Sequence, residues 1–383
     1  MKSRFVRFLT LLVGIILLAA IIFAMSGEPG AASGNPSEAF QGSDNAGGNV
    51  SSKSISKLSS SESQPWTQER MQAAQPYPLE PLDSELEFSL QFSQPQGEPA
   101  FLPGSPPAAD LHGYTVQQEP QSISLAAAAG YDYPAPFARY QNFDSYQIYP
   151  YSTVGVLFFR QYEVDYRCSA ASIGNYAVWT AGHCVHNGDN REEGWSTNVV
   201  FAPAYKNFNA PFGVWKYSHV ITTNTWYALG NPFGIPEDMG GVILKDSGID
   251  SGNKKISEVV GSLGFAYNLN QALHWQSIGY PSTSPFNGLT QQICAGSFAY
   301  FDTGYSDNDI SAPLPVAMGC DMTGGSSGGP WIWNFSGQVG ATNYLNGNNS
   351  YRHIYHPQEM FSPYFGAAAK SLHDELLAAS PKK

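Results

Sequence analysis

Short apolar runs, each long enough for one β-strand, follow one another from about residue 131 onward. Runs such as 152–159 (STVGVLFF), 240–246 (GGVILKD) and 292–301 (QICAGSFAYF) are rich in β-branched and aromatic residues and are bounded by Gly, Asn or Pro. Many short strands in one stretch predict an all-β domain, a barrel or a sandwich, over residues 131–383. The C-terminal run 366–380 instead has a helical period, with Leu372, Leu376 and Leu377 on one face, and predicts a docking helix.

Residues 27–130 have a different composition, rich in Ser, Gln, Pro, Gly and Ala. Such a segment buries too little apolar surface to offset the entropy lost on ordering, so a disordered region is predicted. Two interpretations remain open: a linker, or a propeptide that is removed on maturation.

The first 26 residues resemble a targeting segment. Three basic residues, Lys2, Arg4 and Arg7, precede an uncharged apolar run over 8–25, and Ser26 follows it. The run fits a signal peptide cleaved after Ser26, and it is also just long enough for an uncleaved membrane anchor. Both interpretations place the rest of the chain outside the cytoplasm, secreted or tethered to the membrane.

Charge and cysteine content narrow the class of protein further. The net charge of −12 argues against a nucleic-acid partner, because no basic excess is present to neutralise phosphates. Four cysteines in an exported chain predict two disulfides, and three pairings can be drawn. Spacing favours Cys168 with Cys184 and Cys294 with Cys320, and no two cysteines have the close spacing of a zinc site.

Two segments offer a base and an acid that could orient it. His183 lies in 178–188 (VWTAGHCVHNG), directly after an apolar strand and directly before Cys184. A general base must be held in place and neutral near pH 7, and a histidine beside a disulfide is held. Asp238 lies in 236–246 (PEDMGGVILKD) at the start of a strand, where a carboxylate can be buried enough to orient an imidazole.

A glycine-rich stretch, 320–331 (CDMTGGSSGGPW), offers the nucleophile. Its glycines permit backbone conformations in which the N–H groups of Gly325 and Ser327 point at one spot beside the Ser327 hydroxyl. The alternatives are a flexible spacer or a phosphate-binding loop, but the stretch lacks the Lys and Ser/Thr of a P-loop.

Three motifs in this order, TAGHC (180–184), EDMGGVIL (237–244) and GGSSGGP (324–330), resemble the chymotrypsin-like serine endopeptidases. The bacterial and fungal branch that includes the glutamyl endopeptidases is more similar. The resemblance covers roughly 152–345 and implies two perpendicular six-stranded β-barrels, over about 150–250 and 251–350, with the active site between them. It implies that His183 is the base, Asp238 its orienting acid and Ser327 the nucleophile, a chain order typical of this family.

The resemblance also implies a function. It predicts a serine endopeptidase that needs no cofactor or metal and acts on protein or peptide substrates, and we expect a monomer. In the family, cysteines at the positions of Cys168 and Cys184 form a disulfide that braces the histidine loop. A non-catalytic binding module on the same fold, or a surface-anchored structural protein, are the alternatives.

Three residues depart from the family pattern or bear on specificity. Ser326 stands where animal trypsins have an aspartate that pairs with the new amino terminus, so we expect activation without that ion pair. Asp321 lies six residues before Ser327, as the trypsin acid that binds Arg or Lys does, which slightly favours basic substrates; the alternative is a hydrogen-bonded loop acid with no role in specificity. Thr342 is at the match to the histidine of glutamyl endopeptidases, so glutamate preference is not supported.

Overall fold

The computed structural model describes residues 49–54, 64–78, 81–82, 88–89, 97–108, 135–246, 254–305, 312–336, 343–379 and 381. They all belong to one unit, Ser43–Lys383. The predicted leader, 1–26, and much of 27–130 lie outside the described residues. None of the helices within the described ranges has the length and apolar character needed to cross a membrane.

Most of the described chain is β-structure. The strands are Val50–Ser54 (β1), Gln75–Pro76 (β2), Pro81–Leu82 (β3), Phe88–Ser89 (β4), Ala100–Leu102 (β5), Phe137–Gln141 (β6), Val154–Gln161 (β7), Val164–Gly174 (β8), Ala177–Thr180 (β9), Thr197–Pro203 (β10), Trp215–Thr223 (β11), Gly240–Asp246 (β12), Gly264–Tyr267 (β13), His274–Gly279 (β14), Gln292–Asp302 (β15), Val316–Gly319 (β16), Pro330–Trp333 (β17), Tyr344–Asn348 (β18), Arg352–His353 (β19) and Glu359–Ser362 (β20). The α-helices are Gln68–Ala73 (α1), Asn224–Leu229 (α2), Ile256–Val260 (α3) and Ala367–Ala378 (α4).

Six strands close into the first barrel. They pair in the order β7, β8, β9, β12, β11 and β10, and the pairing of β10 with β7 closes the barrel.

The sequence of strand β7 is apolar throughout rather than alternating, because both of its faces pack against other apolar residues. Leu157 and Phe159 join one apolar cluster with other barrel strands, whereas Val156 and Phe158 join a second cluster that includes Ile278 of β14. Both faces of this strand are therefore buried.

The second barrel is built from β14, β15, β16, β17, β18 and β20. Its strands pair in the order β20, β16, β15, β14, β17 and β18, and Tyr351, three residues after β18, forms an isolated bridge with Phe361 of β20. Helix α4 follows, with Leu372 and Leu376 fully buried and Leu377 packed against the same core cluster. The prediction of an all-β, two-barrel architecture with a C-terminal helix is confirmed.

Parts of the range 27–130 pair with these barrels. Strand β1 is antiparallel to β11 at the edge of the first barrel, and β5 is antiparallel to β13 beside the second. Helix α1 begins after Thr67, whose side chain accepts a hydrogen bond from the Arg70 N–H. The composition of the range did not predict these elements, and its role as linker or propeptide stays a prediction.

Candidate active site

The loop that carries His183 is held by a disulfide and by a glycine. Strand β9 ends at Thr180, and one 3₁₀ turn, Gly182–Cys184, places the histidine at the barrel edge. Cys184 is bonded to Cys168 of β8, one of the two pairings that spacing favoured. A Cβ at Gly182 would lie 2.9 Å from an Asp238 carboxylate oxygen, so a larger residue would push the acid away.

Asp238 is completely buried and binds His183 through two hydrogen bonds. It follows the 3₁₀ turn Ile235–Glu237 and precedes β12. Its Oδ1 accepts the His183 backbone N–H at 2.8 Å, and its Oδ2 lies 2.8 Å from His183 Nδ1. A buried carboxylate is costly unless it is hydrogen-bonded, and here both oxygens are used. This geometry fixes the imidazole with Nδ1 towards the acid and Nε2 away from it.

Ser350 completes the environment of Asp238, and sequence reasoning missed it. Its hydroxyl donates to Asp238 Oδ2 at 2.5 Å, and Asn348 Nδ2 donates to the Asp238 backbone oxygen at 3.3 Å. Ser350 follows β18, 112 residues from the acid in sequence, and no local pattern marks that contact. A charge-assisted hydrogen bond of this kind holds the carboxylate in one orientation.

Ser327 lies in a loop with two glycines in left-handed conformations. Gly325 has φ +93° and Gly328 has φ +78°. A Cβ at Gly328 would lie 2.1 Å from Thr180 Oγ1, so the loop packs directly against the end of β9 that leads to His183. The Ser327 backbone oxygen accepts the Ser169 N–H at 2.7 Å. These contacts place the serine loop beside the histidine loop, and the region between the two loops is called the cleft here.

The Ser326 side chain closes the same loop internally. Its hydroxyl donates to the Thr323 backbone oxygen at 2.8 Å, and its N–H donates to the same oxygen at 3.1 Å. The second disulfide, Cys294–Cys320, precedes the loop and is the other favoured pairing. The loop thus has local support that needs no ion pair at position 326.

Two atoms in the cleft stand out because both are buried and unpaired. Within the part of the chain that the structure describes, neither Ser327 Oγ nor His183 Nε2 has a hydrogen-bond partner. Apo active sites often have long or misaligned catalytic hydrogen bonds. Of the two expected oxyanion donors, the Gly325 N–H donates to the Tyr77 backbone oxygen at 3.2 Å, and the Ser327 N–H makes no hydrogen bond among the described residues.

The sequence matches no protein-family model and no curated protein. Solved structures do match. The protease Anisep from Arthrobacter nicotinovorans has 29% identity and a TM-score of 0.54, and the match covers 63% of this chain and 100% of that one. A thermostable serine protease, AL20, from an extremophilic microorganism has 29% identity and a TM-score of 0.51, and the match covers 60% of this chain and 98% of that one. This chain has the chymotrypsin-like serine protease fold.

A Glu endopeptidase in complex with MPD also matches this protease fold, with 15% identity and a TM-score of 0.47. The match covers 63% of this chain and 97% of that one. A similarity at this level carries no conclusion about cleavage preference.

Of the two residues expected to set specificity, the structure describes Asp321. The Asp321 carboxylate pairs with Arg139, whose Nε lies 2.8 Å from its Oδ1, and about a third of each side chain is exposed. Thr342 lies outside the described residues. The assignment of both residues to a substrate pocket of this protease fold stays a prediction.

Cys168, His183 and Cys184 lie close enough together to resemble a set of metal ligands. Both sulfur atoms belong to the disulfide, so neither is available as the thiolate that a metal ion binds. The cluster is therefore better explained as the brace of the histidine loop in a protease fold.

Replacing Ser350 with alanine should lower kcat about tenfold with little change in KM. The lost hydrogen bond to a charged group is worth about 1.5–3 kcal/mol, and only part of it stabilises the transition state. The buried Ser172 is a matched control, because its hydroxyl donates to the Gly261 oxygen at 2.8 Å and does not contact Asp238. Steady-state kinetics of both variants test this, and equal losses would assign Ser350 a purely structural role.

Proposed function

We propose that this protein is an exported serine endopeptidase in which Ser327, His183 and Asp238 form the catalytic triad. The observation that carries the proposal is the doubly hydrogen-bonded His183–Asp238 pair, buried beside the glycine loop that holds Ser327. An acid that fixes Nδ1 leaves Nε2 free to accept a proton, which is the arrangement that nucleophilic serine catalysis requires. The similarity in fold to two serine proteases supports this function.

The reaction follows from the roles of these groups. Ser327 Oγ attacks the carbonyl carbon of a peptide bond while His183 Nε2 takes the hydroxyl proton. The N–H groups of Gly325 and Ser327 stabilise the negative oxygen of the tetrahedral intermediate. His183 then gives the proton to the leaving amine, and the acyl group remains on Ser327. Water, activated by the same histidine, attacks the acyl-enzyme and releases the acid product.

Asp238 contributes to both steps without touching the substrate. It holds the imidazole in the tautomer with hydrogen on Nδ1 and stabilises the imidazolium that forms when Nε2 takes a proton. Ser350 in turn keeps the carboxylate oriented. Export is supported by the leader sequence and by two disulfides, which persist in oxidising compartments.

Digestion of an unfolded protein tests the proposed function. We expect new amino termini in the substrate, and their sequences would report the residue preference. Prior treatment of the enzyme with an organofluorophosphate should abolish the cleavage, because that reagent requires an activated serine. Cleavage that persists after treatment, or no cleavage by folded protein in either its full-length or its naturally processed form, would contradict the proposal.

A further inference from the structure

Residues 64–78, called here the docked segment, are firmly anchored on the first barrel. Arg70 donates two hydrogen bonds to the Asp165 carboxylate of β8, both at 2.7 Å. Met71 is buried in a core cluster, and Trp66 Nε1 donates to the Asn198 oxygen at 2.7 Å. A bidentate ion pair and a buried apolar side chain give this contact the character of a specific interface.

After helix α1 the docked segment runs into the cleft. Strand β2 pairs in parallel with β8, with Pro76 opposite Arg167, and the Tyr77 N–H donates to the Arg167 oxygen at 3.0 Å. Arg167 directly precedes Cys168, whose disulfide holds the histidine loop. The pairing therefore fixes Tyr77 at the edge of the candidate active site.

The Tyr77 ring covers His183. The two rings are stacked with their centroids 4.9 Å apart and an angle of 28° between their planes. The phenol hydroxyl donates to Gln161 Oε1 at 3.0 Å and lies 3.4 Å from Asn187 Oδ1. Together with the rings of Phe159 and Tyr166, at 5.8 Å and 5.0 Å, these groups form a pocket that fits a tyrosine.

The backbone of Tyr77 occupies one of the two N–H groups expected to stabilise the oxyanion. Its carbonyl oxygen accepts the Gly325 N–H at 3.2 Å, one of the two N–H groups assigned to the oxyanion hole. A Cβ added at Gly324 would lie 2.9 Å from the same oxygen, so the glycine permits this close approach. While this hydrogen bond is made, a substrate carbonyl cannot use that donor.

We propose that Tyr77 is an inhibitor built into the chain, so that the full-length protein is latent until the docked segment leaves the cleft. The proposal rests on the proposed function, since it assumes that His183 and the Gly325 N–H are catalytic groups. Tyr77 blocks both groups, because its ring covers the base, His183, and its carbonyl oxygen occupies the Gly325 N–H. The ring, the hydroxyl and the backbone of Tyr77 each have a partner in the cleft. These contacts distinguish the docked segment from a loop that merely passes the cleft.

A fluorescent fluorophosphonate tests the proposal on the full-length chain, because gels separate the label on the unprocessed band from that on processed forms. If the open state is about 1% populated, the unprocessed wild-type band should label about 100-fold more slowly than the processed form. Tyr77→Ala should raise the rate of the unprocessed band at least tenfold. Tyr140→Ala, which removes an exposed tyrosine outside the docked segment, should leave that rate at the wild-type value.

The outcomes separate this proposal from the proposed function. Equal labelling of unprocessed wild-type and Tyr77→Ala chains, at the rate of the processed form, would overturn the inhibitor role and leave the protease function standing. If no form of any chain is labelled, the proposed function itself fails. Should Tyr77→Ala not fold, Arg70→Ala, which breaks the anchor to Asp165, decides the matter: faster labelling supports latency, and an unchanged rate refutes it.

Discussion

Replacing Ser327 with alanine is expected to lower kcat for peptide hydrolysis by about 10⁶. Without the hydroxyl no acyl-enzyme can form, and the base and the orienting acid have no proton to move, so the triad fails as a unit. The residual rate would come from binding and from the Gly325 and Ser327 N–H groups, which the substitution leaves in place. Progress curves on a chromogenic peptide, with wild type and variant treated identically for maturation, measure the loss.

The neighbouring serine is the matched control. The Ser326 hydroxyl is tied to the Thr323 backbone oxygen at 2.8 Å, so Ser326→Ala removes one structural hydrogen bond worth roughly 1 kcal/mol. We expect a far smaller loss of kcat, together with an unchanged circular dichroism spectrum in both variants. A larger loss for Ser326→Ala than for Ser327→Ala would transfer the nucleophile assignment to residue 326.

Replacing Asp238 with asparagine is expected to lower kcat by about 10⁴. An amide oxygen can still accept the His183 backbone N–H, but the amide nitrogen then faces His183 Nδ1 and must donate to it. The imidazole proton is forced onto Nε2, which can no longer accept the proton of Ser327. Single-turnover kinetics with an activated ester would assign the loss to the acylation step.

Glu237 provides the comparison for this substitution, because it is the adjacent carboxyl and contacts Thr223 and Thr225 rather than His183. Glu237→Gln should keep kcat within a few-fold of wild type, because the amide has nearly the same shape as the carboxyl and its contacts with Thr223 and Thr225 do not involve His183. If Asp238→Asn lost less than about tenfold, or no more than Glu237→Gln, Asp238 would not be the orienting acid.

The residues assigned from motifs share one property: each lies in a short segment whose own composition explains its conformation. Glycines around Ser327 indicated a bent loop, and φ values of +93° at Gly325 and +78° at Gly328 agree. The run 152–159 was recognisable as a strand from β-branched and aromatic residues alone, and the strand β7 begins two residues later, at Val154. Cysteine spacing favoured both disulfides, Cys168–Cys184 and Cys294–Cys320, because each closes a short loop.

Residues whose roles depend on strand pairing could not be found this way. Ser350 contacts Asp238 because β18, which precedes it, is positioned by its pairing with β17. Nothing in the sequence on either side of Ser350 indicates that contact. Strand β1, with the sequence VSSKS, has little apolar character of its own and is held by its pairing with residues 219–223 of β11. Tyr77 lies in a polar, proline-containing stretch, and its position depends on Arg70, Asp165 and the edge of β8.

The most direct test of the central claim, that Ser327 is an activated nucleophile, is to locate the adduct of an organofluorophosphate on the matured protein by peptide mass spectrometry. We predict one stoichiometric adduct on the Ser327 hydroxyl, and no adduct when Asp238→Asn is treated for the same short time. An adduct on a different residue, or a folded, processed protein that stays unmodified after long exposure, would contradict the account.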